Sequence, residues 1–197
     1  MEEGFIMLAI AVWIIALEFA TSLFSSFAAR KLCHAGCGAG MMLLDPTHLG
    51  ARIFVWSVAA GSIAMTWGLS PIPPFRFARL SDVGVTAYLT LVSAWFALQL
   101  PPTILAPVFF ADPAGAVVGK ACSQRFGRFN LAWYQHKTVC GSLAVFAFTL
   151  FSVTYSCTKL QRVAIAAAAA LAEAVGGEYD NLALATVVLI GWAWTLQ

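Results

Sequence analysis

The sequence contains very few charged residues. Asp, Glu, Lys and Arg together make up 10% of its 197 residues, whereas hydrophobic residues make up 61%. A soluble globular domain has about 25% charged and about 45–50% apolar residues. This shortage of charge argues against a largely solvated surface. It predicts an integral membrane protein that crosses the bilayer several times.

Basic runs and a cysteine framework are also missing. The net charge is only +2, and no Lys/Arg run is interleaved with aromatic residues, so we expect no nucleic-acid partner. The five cysteines are scattered, which favours neither a disulfide framework nor a zinc site. The acidic start "MEEG" is unlike a transit peptide, and no organelle can be identified. Plastid, endoplasmic-reticulum and mitochondrial membranes all fit the sequence.

Long apolar runs are what the sequence does have. Because a membrane-spanning helix needs about 20 mostly apolar residues, these runs predict an all-α, polytopic transmembrane helical bundle with 7–9 segments. We expect one integral membrane domain over residues 1–197, embedded in a lipid bilayer. Gly36 and Gly40 form a GxxxG pair that predicts close helix packing. The eight segments are Phe5–Ala29, Leu32–Leu44, Ile53–Leu69, Val83–Leu100, Thr103–Val118, Val139–Cys157, Val163–Val175 and Leu182–Leu196.

Three acids lie within these apolar segments: Glu18, Asp112 and Glu173. A charge at the bilayer centre costs roughly 3 kcal/mol, so each acid indicates either a structural hydrogen bond or ion pair, or a functional site. Asp112 is followed at once by Pro113, which is typical of a helix start. Since apolar sequence already precedes this pair, we expect a broken helix whose free backbone N–H groups after Pro113 face an anionic ligand.

The segment after Asp112 adds positive charge. From Lys120 to Lys137 the chain carries Lys and Arg side chains and no acid. A carboxylate can hold Mg²⁺ below such a loop, and the loop can hold phosphate, which together predict phosphoryl-transfer chemistry. A solvated basic loop at a membrane surface explains the same charges equally well.

Several motifs occur in a recognisable order. They are "RKLCH" from Arg30, "DPAGAVVGK" from Asp112, the pair Phe126–Gly127, "KTVCGS" from Lys137 and, after Glu173, "EYDN". In order and spacing they resemble the motifs of the CTP-dependent polyprenol kinases, the family of phytol, farnesol and dolichol kinases. The resemblance covers about residues 30–197. It implies transfer of the γ-phosphoryl group of CTP to the hydroxyl of an isoprenoid alcohol within the membrane.

The resemblance also implies a set of site residues. CTP would be the co-substrate and Mg²⁺ the cofactor, with Asp112 and Asp180 as metal ligands. Catalytic positions would be Asp112, Lys137, His34 and Asp180. Arg30, Lys31, Glu173 and Asn181 match further motif positions. Nucleotide-binding positions would be Gly115, Gly119, Lys120, Arg125, Arg128, Lys137, Thr138, Gly141 and Ser142.

One departure from the family pattern supports an alternative. Cys140 stands where the family has a glutamate, and a neutral thiol is a poor ligand for Mg²⁺. A catalytically degenerate relative that acts as a structural membrane subunit, with membrane-protein partners, is therefore the second hypothesis. A CDP-lipid type transferase would need several closely spaced aspartates, but no acid lies between Asp112 and Glu173. A transporter built on broken helices also stays open.

Overall fold

The computed structural model describes residues 2–196. Over this range the protein is mostly helical, with eight α-helices and one short antiparallel hairpin, which confirms the all-α prediction. In the hairpin, β1 (Ala132–Tyr134) pairs with β2 (Lys137–Thr138). The helices are α1 (Glu2–Phe19), α2 (Ser26–Met41), α3 (Leu49–Thr66), α4 (Val83–Ala97), α5 (Ala106–Phe126), α6 (Val139–Ser152), α7 (Lys159–Val175) and α8 (Asp180–Thr195).

The first predicted segment is wrong in its extent. The apolar run Phe5–Ala29 contains the end of α1 at Phe19 and the start of α2 at Ser26. The Ser25 hydroxyl caps α2 by accepting a hydrogen bond from the backbone N–H of Ala28 at 3.3 Å. As a result "RKLCH" lies inside α2 and does not begin it.

Membrane-spanning length is reached by two helical stretches within residues 2–196. Leu49–Thr66 has 22% of its residues buried in the protein, whereas an 18-residue stretch of Pro102–Phe129 has 61% buried. Val83–Ala97 and Val139–Ser152 are apolar but shorter. A helix of 14 residues such as α6 is only about 21 Å long, less than the roughly 30 Å of hydrocarbon in a bilayer. The range of 7–9 spans therefore stays a prediction.

The chain divides into two compact units, Met1–Pro102 and Thr103–Gln197. The prediction of a single domain over residues 1–197 stays a prediction. In the first unit α1 packs against α2, and α3 packs against α4. A Cβ atom at Gly36 would overlap the indole of Trp13, and one at Gly40 would lie 2.5 Å from Ile10 Cγ1. The prediction that this glycine pair allows close helix packing is confirmed.

Arg76, between α3 and α4, closes the carboxyl end of α1. Its guanidinium donates hydrogen bonds to the backbone carbonyls of Leu17, Glu18, Ala20 and Phe24 at 2.6–3.3 Å. The carbonyls of Leu17 and Glu18 are among those that a helix end leaves without helical partners. The carbonyl of Ala20 also accepts the backbone N–H groups of Leu23 and Phe24. Glu18 is only partly buried, unlike the other two acids, and its side chain accepts the backbone N–H of Arg76 at 2.9 Å.

In the second unit α5 packs against α6, α6 against α7, α7 against α8, and α8 against α5. Asp112 and Pro113 are both buried inside α5, which is continuous from Ala106 to Phe126. The predicted broken helix is therefore wrong, and the backbone after Pro113 does not present a helix start to a ligand. Proline removes one backbone donor and crowds the preceding turn. Packing of α5 between two neighbouring helices maintains the helix in spite of this local cost.

Candidate functional site

The turn between α7 and α8 brings two carboxylates together. Glu173 lies in the last turn of α7, and Asp180 is the first residue of α8. A Cβ atom at Gly176 would lie 2.7 Å from the Asp180 Cα atom, and Gly177 has a φ of +59°. The sequence "VGGEYD" thus contains the two glycines that this tight reversal requires. The start of α8 also favours the negative charge of Asp180.

The hairpin places Lys137 against both carboxylates. The Thr138 hydroxyl caps α6 by accepting the Gly141 N–H at 3.2 Å. This cap fixes Lys137, the residue before Thr138, next to the start of α6. The Lys137 ammonium donates to Glu173 Oε1 and, at 3.1 Å, to Asp180 Oδ2. Burial alone lowers the pKa of the Lys137 amine, but the two carboxylates outweigh this and raise the pKa above its usual value. Lys137 is therefore a charged group that holds two helices together.

Asp112 of α5 completes the group. Within residues 2–196, Asp112, Glu173 and Asp180 each have a carboxylate oxygen within 4.8 Å of the others. We call these three residues the carboxylate cluster. Asp112 and Glu173 are each only 4% exposed. Lys137 forms ion pairs with Glu173 and Asp180. Carboxylate oxygens grouped in this way are the ligands that a divalent cation such as Mg²⁺ takes.

Asn181, the next residue on α8, has a buried side-chain oxygen without a partner. No described residue donates a hydrogen bond to Asn181 Oδ1. A buried polar atom left in this state costs about 1–3 kcal/mol, so a polar ligand or an ordered water is expected beside it. The hard oxygen donors of the carboxylate cluster and this adjoining acceptor fit Mg²⁺ and its coordinated water.

Asn130 was not anticipated from the sequence. It is only 7% exposed, and its side-chain amide donates to the Gly119 carbonyl at 3.0 Å and to Ser123 Oγ at 2.8 Å. Its oxygen accepts the backbone N–H of Cys140 at 3.1 Å. This one side chain therefore joins α5 to the start of α6 and positions the hairpin that carries Lys137. The only sequence signal was a polar residue among apolar neighbours in "RFNLAW".

Three of the predicted nucleotide-binding glycines lie in the contact between α5 and α6. A Cβ atom at Gly115 would be 2.5 Å from Val145 Cγ2, and one at Gly119 would be 3.0 Å from Thr138 Oγ1. A Cβ atom at Gly141 would be 3.0 Å from the Gly115 carbonyl oxygen. All three glycines are buried. Close helix packing explains them, and their contact with a nucleotide stays a prediction.

The other predicted nucleotide-binding residues lie nearer the surface. Ser142 accepts a hydrogen bond from the Trp133 indole at 2.9 Å. Lys120, Arg125 and Arg128 are exposed along the last turns of α5 and the 3₁₀ turn after it. Their positions make this end of the second unit positively charged, which suits an approaching anion.

Arg30, Lys31 and His34 belong to the first unit, on α2. Arg30 forms an ion pair with Asp82 at 3.4 Å, and the His34 ring lies 4.3 Å from the Tyr88 ring. Lys31 is partly buried. Arg30 thus joins α2 to Asp82, the residue that caps α4, and His34 joins α2 to α4 itself. The catalytic role that the resemblance implied for His34 stays a prediction.

Cys140 lies in the first turn of α6 and is partly buried. Its backbone N–H donates a hydrogen bond to Asn130 Oδ1 at 3.1 Å. The carboxylate cluster is formed by other residues.

Comparison with protein-family models, curated proteins and solved structures finds no match for this chain.

Proposed function

We propose that this protein is a multi-pass membrane kinase that transfers the γ-phosphoryl group of CTP to an isoprenoid alcohol such as phytol, farnesol or a polyprenol. The observation that carries the proposal is the carboxylate cluster with Lys137 against it. Phosphoryl transfer chiefly requires cations and carboxylates that position the phosphates and the acceptor. Four separate elements bring these groups to one place in a chain that is otherwise poor in charge.

The residues have distinct tasks in this proposal. Asp112 and Asp180 would hold Mg²⁺, and Glu173 is close enough to contribute a third oxygen. When bound, Mg²⁺ would neutralise charge on the phosphate oxygens. Lys137 would keep Glu173 and Asp180 in position. The exposed Lys and Arg side chains at the end of α5 would attract the triphosphate.

The reaction itself balances without a further reactant. The acceptor oxygen forms a bond to the γ-phosphorus, the bond from that phosphorus to the β–γ bridging oxygen breaks, and CDP leaves. The hydroxyl proton passes to a carboxylate of the cluster. An apolar acceptor also accounts for a site in a membrane protein, since its tail remains in lipid.

The test is an assay of the purified protein in detergent with γ-labelled CTP, Mg²⁺ and each alcohol in turn. Labelled polyprenyl phosphate is expected from the native chain. Asp112→Asn should reduce the rate at least 100-fold, because it removes a metal ligand. The matched control Asp45→Asn changes an exposed acid between α2 and α3, and should leave the rate unchanged. Absence of product from a folded preparation would refute the kinase.

A structural membrane subunit is the second candidate. Two observations favour it: Cys140 replaces a family glutamate, and Lys137 already satisfies two of the three carboxylates. In this case the cluster is an ion-pair network that joins the hairpin to α7 and α8. Stable co-purification with membrane-protein partners, and a melting temperature that CTP does not change, would support this candidate over the kinase.

A further inference from the structure

A groove runs between α6 and α7 in the second unit. Its volume is about 390 Å³, within the range of about 300–1,000 Å³ found for small-molecule sites. Its lining is apolar apart from Ser142 and the indole N–H, which are hydrogen-bonded to each other at 2.9 Å. Lining residues include Trp133, Val139, Ser142, Phe146, Ala167 and Ala170. We call this feature the α6–α7 groove.

The α6–α7 groove has lining residues that are close in sequence to the carboxylate cluster and to Lys137 at two points. On α7, the lining residue Ala170 is three residues before Glu173, so these two side chains are neighbours on the helix surface. Ala170 is about 4.5 Å along the axis from Glu173. On the other wall, Val139 comes two residues after Lys137. One end of the groove therefore lies within a turn of the cluster.

We propose that the α6–α7 groove holds the apolar chain of the acceptor alcohol, with the hydroxyl directed to the carboxylate cluster. This inference rests on the proposed kinase function and adds the location of the acceptor. The small side chains of Ala167 and Ala170 form one wall, and Trp133 and Phe146 are bulky neighbours. This open groove suits a branched hydrocarbon chain and gives it no polar partner except near the hairpin.

The dimensions explain how one site serves acceptors of different length. From Val139 to Phe146 the groove extends about 10 Å along α6. A short isoprenoid is held over much of its length. A longer chain leaves the far end and continues into the bilayer, where hydrocarbon is its natural solvent. The groove therefore recognises the part of the alcohol next to the hydroxyl.

The test is photolabelling with a farnesol analogue that carries a diazirine on its chain. The full-length protein in detergent is irradiated with the probe and no nucleotide, and the labelled peptides are mapped by mass spectrometry. Labelling is expected on α6 and α7 residues of the groove. Unlabelled farnesol should reduce it at least fivefold, whereas an excess of phosphatidylcholine should not, which distinguishes an isoprenoid site from general lipid contact.

Two neighbouring alanines provide a matched pair of variants. Ala167 lines the groove, and Ala168 is also exposed but does not line it. Ala167→Phe should reduce labelling of the groove at least fivefold, and Ala168→Phe should leave it unchanged. Phe146→Ala, which removes one wall of the groove, should also reduce labelling. It replaces Ala167→Phe in the test if that variant is hard to express. Melting temperatures check that each variant is folded.

Labelling does not require turnover, so the two proposals can fail separately. Labelled groove residues in a protein without kinase activity would support the groove and refute the kinase. Label spread evenly over the apolar helices, or label that Ala167→Phe does not change in a folded protein, would overturn the groove even if the kinase assay succeeds.

Discussion

Substitution of Lys137 by methionine tests whether the ion pairs at the carboxylate cluster stabilise the second unit. The side chains of Glu173 and Asp180 are 6% and 21% exposed, and that of Lys137 is 27% exposed. Removing one partner of a buried ion pair costs about 3–5 kcal/mol. Since Lys137 is partly exposed, we expect the low end, about 3 kcal/mol. For a chain of this length that corresponds to a fall of about 6–12 °C in melting temperature.

The measurement is thermal unfolding in detergent at neutral pH, followed by circular dichroism and without divalent cations. Lys159→Met is the matched control, because Lys159 is exposed at the start of α7 and forms none of the ion pairs described above. Its effect should stay within about 0.5 kcal/mol. A melting temperature of Lys137→Met equal to that of the control would refute the view that these ion pairs contribute to stability.

The same variant also tests whether the cluster accepts a cation. Without Lys137, Glu173 and Asp180 lose the ammonium with which they form ion pairs. A bound Mg²⁺ would then replace the missing positive charge, and saturation at 100 times the dissociation constant adds about 2.7 kcal/mol of stability. We therefore expect Mg²⁺ to raise the melting temperature of Lys137→Met by several degrees, and more than that of the native chain. No rise at saturating Mg²⁺ would count against a metal site.

Four further predictions follow from the same contacts. The pKa of Lys137 is raised in the folded protein, so its contribution to stability is complete below its ordinary pKa of 10.5 and is lost as pH rises through the higher folded value. The melting temperatures of the native chain and of Lys137→Met should therefore converge at alkaline pH. Arg76→Met should cost about 2 kcal/mol or more, seen as faster proteolysis of the first unit, because several carbonyls lose their donors. Gly115→Ala should cost about 1–3 kcal/mol in thermal unfolding through overlap with Val145, and Val145→Ala in the same chain should restore part of it. Asn130→Ala should cost about 1–3 kcal/mol and increase amide hydrogen exchange at the start of α6, since it leaves the backbone N–H of Cys140 without its acceptor.

Hydropathy predicted the number of helical segments and most of their positions. The eight apolar runs correspond in order to the eight α-helices of the described chain. The prediction of one segment from the first run was wrong because hydropathy does not report a bend within apolar sequence. The bend there depends on the Ser25 cap and on Arg76, which reaches the end of α1 from more than fifty residues away. A contact of that kind is not encoded in the local pattern.

Local helix signals were misleading at Asp112. An Asp-Pro pair is typical of a helix start, yet both residues are inside α5. The signal reports what a short segment would do by itself. Burial of α5 against α6 and α8 outweighs that preference.

The cluster was predicted only in part. Asp112 and Asp180 were expected to lie together, and the resemblance included Glu173 without a metal role. The contact of Lys137 with phosphate stays a prediction, whereas its pairing with Glu173 and Asp180, across 36 and 43 residues of sequence, was not predicted. Such pairing depends on how the hairpin and the α7–α8 turn fold against each other. The two glycines of that turn were the available signal.

The identity of residue 140 does not decide between a kinase and a structural subunit. Mg²⁺ usually takes one or two protein carboxylates and completes its coordination with phosphate oxygens and water. Asp112, Glu173 and Asp180 already provide three without a glutamate at position 140. The exchange to Cys140 therefore leaves enough oxygen donors for the metal. Any loss of activity would have to arise at the nucleotide, so CTP binding, and not Mg²⁺ binding, is the measurement that separates the two functions.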